Sequence, residues 1–467
     1  MSTERELMSG VDTAWLRMES PANLMTIGAV LILEQPIDIQ KFKQIVQERL
    51  LKFSRFRQRV VELNGSPHWE NDPHFHIDHH IHLIGLPGRD QQEDLQKLAG
   101  DIISTPLNNT HPLWQIQMVD NYQGGSALIF RIHHCIADGI SLVRVMLSLT
   151  DVDSLPPPTL QQNNHHDRLG NLFTPALHWL QHEVNLGEQL LQDGLALIEH
   201  PEHLIDLARE GVAITSEIAR IAALPSDPPT CLKGSLSGRK KVAWSEGLSL
   251  TEVKKTAKRL DATINDILLT AATGALRSYL LEQQPNQGEL LDIARLHAAV
   301  PFNLRPLDKP ITQLGNQFGL VIVALPVGIQ SPLMRLEQVK HAMHSLKHSY
   351  QAQVFYGLLG VLGKGPSVLE QTALEVLSKK ASLVMTNVPG PKQSLYLAGS
   401  RVRQPIFWVP QSGEVGLGLS ILSYNGTVQF GVVADENLVA APDRLVSGFN
   451  EAYHALQELA ASRSEPC

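Results

Sequence analysis

Apolar residues along this chain fall into two rhythms. Short alternating or continuous apolar runs, Ile27 to Leu33 and Ala127 to Ile132, predict strands. Apolar residues at three- and four-residue spacing over Ile39 to Leu51 and Gly139 to Leu149 predict helices. Their interleaving is the mark of an α/β unit. The mixture recurs later. Thr251 to Leu281 carries a helical pattern behind a Thr/Asn/Asp start, and Ala298 to Phe302, Gly319 to Pro326, Ala381 to Met385 and Val415 to Val433 read as strands.

Two breaks rich in Pro, Gly, Asn or Ser, Leu155 to Arg168 and Leu224 to Gly238, bracket a middle segment. Within it Leu186, Leu190, Leu191, Leu195, Leu197 and Ile198 keep helical spacing, interrupted by Gly187, Gly194 and Pro201, which predicts two or three connecting helices. A crossover packed between two halves is the expected role. The alternative, a helix lying on a membrane surface, normally shows Lys or Arg on its polar face, and Arg209 is the only one here before Arg220. The chain therefore divides into an N-terminal half (1–153), a linker with connecting helices (154–238) and a C-terminal half (239–467).

Size and composition agree with two packed cores: 467 residues, 43% hydrophobic. A formal net charge of -8 gives no reason to expect nucleic acid as a partner, and 18% charged residues argue against disorder. Cys135, Cys231 and Cys467 lie far apart, so neither a disulfide framework nor a thiolate zinc site is indicated. No apolar run reaches the roughly 18 to 20 residues that span a bilayer, and Met1 to Gly10 lacks a signal-like apolar stretch. The expected location is cytoplasmic, with a peripheral contact at the inner membrane or a lipid inclusion as a further expectation.

The chemistry concentrates in His133-His134-Cys135-Ile136-Ala137-Asp138-Gly139, between a predicted strand and a predicted helix. An imidazole at such a turn projects into a cleft, with a near-neutral pKa suited to taking a proton from a hydroxyl. Asp138 either holds the histidine or turns back to pair with an arginine, and Gly139 is expected to let the chain turn closely. A metal site on His133, His134 and Asp138 is disfavoured because adjacent residues on extended backbone point oppositely and no further ligand set follows. Cys135 as an acyl-carrying nucleophile has little beside it to lower its pKa. Elsewhere, His74, His76, His80 and His82 alternate in a run that reads as an edge strand with solvated histidines rather than a metal-binding ribbon. Asn265 stands in a first helical turn, as a donor toward developing negative charge or as a helix cap.

With these residues stand Met8-Ser9-Gly10-Val11-Asp12-Thr13-Ala14-Trp15, Pro112-Leu113-Trp114, Asn265-Asp266, Val300-Pro301-Phe302-Asn303-Leu304-Arg305, Gly315-Asn316-Gln317-Phe318-Gly319, Asn387-Val388-Pro389-Gly390-Pro391 and Ser423-Tyr424-Asn425. In this order the chain resembles the bacterial wax ester synthase/acyl-CoA:diacylglycerol acyltransferase family from about residue 8 to 425. The resemblance implies an α/β fold of two chloramphenicol-acetyltransferase-like halves with mixed sheets, joined by a helical crossover, and an active site in a tunnel between them. It implies an O-acyltransferase that esterifies a long-chain fatty alcohol or diacylglycerol from acyl-CoA, without a cofactor. It maps His134 onto the general base and Asp138 onto a structural aspartate, for which Arg305 is the expected partner. His133 is expected to support the loop, and Pro389-Gly390-Pro391 to form a tunnel wall. Other readings are a plant-type acyltransferase, whose DFGWG signature is absent here, a peptide condensation domain, and a non-catalytic lipid-binding protein of the same fold.

Overall fold

The structure, a computed structural model, describes residues 5–88, 91–152, 224–284, 295–304, 314–347, 349, 351–364 and 378–463. The expected connecting helices of 171–223 lie outside these residues.

Two mixed sheets carry the molecule. The first has six strands in the order Tyr396–Leu397, Ser400–Trp408, Thr26–Leu33, Gly125–His133, Trp114–Tyr122 and Ile81–Ile84. Its neighbours are antiparallel except the last pair. The second runs Phe318–Leu325, Leu296–Asn303, Leu383–Pro389, Leu417–Tyr424, Thr427–Asp435 and Lys240–Trp244, with Leu248–Ser249 paired to Thr427–Asp435. The fold is thus mixed α/β, as the two rhythms predict.

Each sheet has its own core, and a third cluster, in which Val30, Ile32 and Tyr122 meet Trp244, Trp408 and Val433, joins the two. The junction is more than packing. Ser400–Trp408, from the C-terminal part of the chain, pairs with Thr26–Leu33 in the first sheet, so residues 396–408 belong by hydrogen bonding to the N-terminal sheet. Tyr424 secures this crossing, its hydroxyl donating to Val402 O at 2.9 Å and accepting from Leu395 N at 2.9 Å.

Two long patterns are subdivided. Thr251 to Leu281 becomes helices Leu250–Arg259 and Ile264–Gln283, because Asp261 takes a left-handed φ of 49° and Thr263 starts afresh with a capping box to Asp266. Val415 to Val433 becomes a hairpin turned at Asn425 (φ 46°) and Gly426 (φ 80°).

The histidine-rich run does end in an edge strand, Ile81–Ile84. One member departs from the expected solvation. His80 is buried at 1% exposure, stacks on Trp114 (4.3 Å) and Phe75 (5.1 Å), and its Nδ1 meets Trp114 O at 2.8 Å. Burial lowers its pKa to about 4. Since an unfolded histidine titrates near 6.5, the unfolded chain binds the extra proton between about pH 6.5 and 4, and stability falls as pH drops through that window. His80→Gln keeps a donor for Trp114 O and should lessen the drop in melting temperature between pH 7 and 5, by an amount corresponding to roughly 1–2 kcal/mol. Calorimetric melts at the two pH values check this.

Candidate active site

The strand Gly125–His133 is buried along its whole length at the centre of its sheet, and it delivers His133 and His134 into a turn. His134 N donates to Met25 O at 2.7 Å and His133 N to Leu113 O at 2.9 Å, fixing the backbone where the strand ends. Asp138 then caps the helix Gly139–Ser148, its Oδ1 accepting from Ser141 N at 2.7 Å, while Leu142 and Val145 turn into the core. At Gly139 an added Cβ would meet no heavy atom of the described residues within 4 Å beyond its own chain neighbours and helix backbone.

The C-terminal half completes the loop through three consecutive residues just before and at the start of the strand Phe318–Leu325. Asn316 Oδ1 lies 3.0 Å from His134 Nδ1. Gln317 N donates to Asp138 Oδ2 at 3.0 Å. The Phe318 ring sits 5.2 Å from the His134 ring. Asn316 Nδ2 in turn donates to Asp12 Oδ1 and to His134 O, both at 2.8 Å.

Asp12 and Trp15 come from the helix Gly10–Arg17, capped by Ser9. This helix packs closely on the helix Gln351–Lys364, because a Cβ at Gly363 would stand 1.7 Å from Gly10 O. Trp15 stacks on the His134 imidazole at 4.2 Å and 13°. Asp12, Trp15, Asn316 and Phe318 stand in segments that carry the family resemblance, but no local pattern in the sequence gives any of them a role.

His134 is 4% exposed, and burial lowers its pKa to about 4, so the ring is neutral across the ordinary pH range. Burial likewise raises the Asp12 carboxyl above the usual range despite hydrogen bonds from Asn316 and Ser9. His133 faces the other way. Its Nδ1 accepts from Cys135 N at 3.1 Å, which leaves the ring proton on Nε2, 3.1 Å from Glu19 Oε2. Burial would raise Glu19, but His133 and the Met25 N–H outweigh it and hold the carboxylate low. These contacts tie the His133 ring to the backbone of its own turn and to Glu19, a partner that local sequence does not reveal.

Cys135 is fully buried, and burial, reinforced by Asp12 and Glu19, pushes its thiol well above the usual value. A thiolate there is disfavoured. Cys135→Ala should retain at least about a third of the parent rate, since a ΔΔG‡ below about 0.7 kcal/mol is all that loss represents. An acylated Cys135 peptide in mass spectra after exposure to acyl-CoA alone would overturn the expectation.

His134, Trp15 and Met18 open onto a cavity whose other walls come from the second sheet and its helices, among them Ile322, Phe355 and Val384. Among the described residues its only other polar walls are Ser378 and Ser412. It is an apolar slot with one imidazole in its wall.

Arg305 lies outside the described residues. Asn265 is not the helix cap, which is Thr263; its Oδ1 accepts from Asn387 Nδ2 at 2.7 Å, and it does not line the cavity. Pro389-Gly390-Pro391 packs on the neighbouring hairpin, where a Cβ at Gly390 would stand 2.2 Å from Ser423 O, and it too is absent from the cavity wall. No group of three or more His, Cys, Asp or Glu able to hold a metal occurs among the described residues.

Comparison with known proteins adds an independent line. A family model described as the wax ester synthase/diacylglycerol acyltransferase catalytic domain matches residues 8–268, and the C-terminal domain of the same family matches 314–457. A Mycobacterium tuberculosis protein named as a diacylglycerol O-acyltransferase is 26% identical over 453 residues, covering 94% of this chain and 92% of its own length. Another from that species, similarly named, is 27% identical over 482 residues, covering 98% and 92%. Among solved structures, the wax ester synthase/diacylglycerol acyltransferase from Marinobacter aquaeolei VT8 superposes with a TM-score of 0.67 at 20% identity, over 97% of this chain and all of that one. A mutant starter condensation domain of rhizomide synthetase, solved with C8-CoA and Leu-SNAC, superposes at 0.58 and 14% identity, over 99% and 96%.

Proposed function

The chain belongs to the wax ester synthase/diacylglycerol acyltransferase family and is an acyltransferase, and from that premise we propose that it carries a fatty acyl group from acyl-CoA to a lipid alcohol with His134 as general base. The acceptor is a long-chain fatty alcohol or diacylglycerol, and the product a wax ester or triacylglycerol. The observation that carries the reading is the state of His134. Its Nδ1 is committed to Asn316, which leaves the Nε2 lone pair as the available base on a ring that lines an apolar cavity.

The step balances with two substrates. His134 Nε2 takes the hydroxyl proton as the alcohol oxygen forms a bond to the thioester carbonyl carbon. The C–S bond then breaks, and the departing CoA sulfur recovers the proton from the imidazolium. No acyl-enzyme is needed. General-base action supplies about 10²- to 10⁴-fold, and positioning of both chains contributes the larger part. Asp138 keeps its structural role in this proposal, with Arg305 as its charged partner. His133 holds the loop against Glu19.

The apolar walls suit a fatty chain. Among the described residues no helix is long and apolar enough to cross a membrane. Leu358 on the cavity wall is 38% exposed, and Phe302, next to the lining Pro301, is 45% exposed. Both favour acceptor delivery from a cytoplasmic membrane face or lipid inclusion by peripheral contact.

Purified protein supplied with palmitoyl-CoA and either hexadecanol or diacylglycerol tests the proposal. The expected result is release of free CoA together with an ester. Binding of both lipids without CoA release would make the chain a lipid binder, and transfer confined to amine acceptors would make it a condensation enzyme.

A further inference from the structure

We infer that Asn316, held by Asp12, sets the working tautomer of His134, so that an uncharged amide stands against the imidazole where a Ser-His-Asp arrangement places a carboxylate. The inference deepens the reading of His134 as the base and rests on it.

An amide NH₂ has two hydrogens, and both are spent here. Asn316 Nδ2 donates to Asp12 Oδ1 and to the His134 backbone oxygen, each at 2.8 Å. These two acceptors fix which end of the amide is which. The end left facing His134 Nδ1, at 3.0 Å, is therefore the oxygen, and an amide oxygen only accepts. Nδ1 must carry the proton, and in a neutral ring Nε2 is then unprotonated. Asp12 is itself anchored: Oδ1 also accepts from Asn316 N at 3.1 Å, and its backbone N–H meets the Ser9 hydroxyl at 3.1 Å. The Trp15 face, parallel to the imidazole within 13°, keeps the ring from turning out of this contact.

The histidine side chain in water prefers its proton on Nε2, the nitrogen that must act as the base, and the Asn316 oxygen, together with the ring's contact to the His134 backbone, works against that preference. Neutrality of the amide has its own consequence. The carboxylate of Asp12 is one group removed from the ring, so the imidazolium is not stabilised at rest and the base remains unprotonated. The other titratable groups facing His134 among the described residues are Asp138 and His133, with Glu19 behind His133.

Three variants and one spectrum test this. Asn316→Ala should lower kcat about 100-fold or more while KM for acyl-CoA stays within about three-fold, since loss of the correct tautomer alone costs up to about 10⁴ in a serine protease. Asp12→Asn keeps an acceptor oxygen for Asn316 Nδ2 and should retain kcat within about ten-fold, a difference of about 1.4 kcal/mol. The transposed pair D12N/N316D puts a carboxylate directly on His134 Nδ1 and should move the acid limb of the kcat profile upward by about one pH unit or more. In long-range ¹H–¹⁵N spectra of histidine-labelled parent protein, His134 signals, assigned by their absence from His134→Ala, should show protonated Nδ1 and unprotonated Nε2. A His134 protonated on Nε2 would overturn the inference even if the Asn316 and Asp12 variants misfold, and so would an Asn316→Ala enzyme with near-parental kcat. An unshifted acid limb in a folded transposed pair overturns it too. Full activity of His134→Ala instead removes the underlying reading.

Discussion

Replacing His134 with alanine removes about 10²- to 10⁴-fold of turnover, the contribution of a positioned general base, while the protein still folds cooperatively. The ring lines a cavity, so its loss enlarges space already present. What goes with it is the Trp15 stack and the partner of Asn316 Oδ1, a modest structural loss. Steady-state CoA release compared with a thermal melt separates the two effects. Turnover within a few-fold of the parent would show that another group is the base. His133→Ala should cost less activity, because its contacts with Cys135 N and Glu19 support the loop and water can replace them in part.

Asp138→Asn is expected to lower stability and activity together. The carboxylate accepts from two backbone donors on opposite sides, Ser141 N at 2.7 Å and Gln317 N at 3.0 Å. An amide in its place must turn an NH₂ toward one of them and leave that buried donor unsatisfied, at a cost of about 1–3 kcal/mol. One contact caps the helix after the catalytic turn. The other holds the segment Asn316-Gln317-Phe318 against His134, so the activity loss follows from the same displacement. A melting temperature equal to the parent's alongside lost activity would instead mark Asp138 as an orienter of the imidazole. In the structure that place is taken by Asn316.

Much of this arrangement is legible along the chain because it is local. The turn from His133 to Asp138 is bounded by a predominantly apolar, wholly buried strand and by a helix that begins at an Asp, so its position follows from the change of period at His133 and Asp138. The partners of that turn are not local. Asn316 lies 182 residues from His134 and 304 from Asp12, and no periodicity records a contact across such separations. The same limit hides the crossing of Ser400–Trp408 into the first sheet, since its alternation fits either sheet equally well. Alternation in an edge strand exposes one face and so predicts a solvated His80, yet Trp114 and Phe75 cover it. A first helical turn has free donors, which is all that the sequence shows of Asn265; that its Oδ1 accepts from Asn387 Nδ2 on a distant strand, and that it stands away from the cavity lining, depends on packing.

Direct transfer fixes the order of bond making and breaking: no C–S bond breaks before the alcohol is present. Rapid mixing of enzyme with palmitoyl-CoA alone, followed by quenching and measurement of free CoA, should give no burst above the uncatalysed background. Adding hexadecanol or diacylglycerol should release one CoA for each ester formed. A burst of CoA equal to the enzyme concentration in the absence of any alcohol would contradict direct transfer by His134 and require an acyl-enzyme.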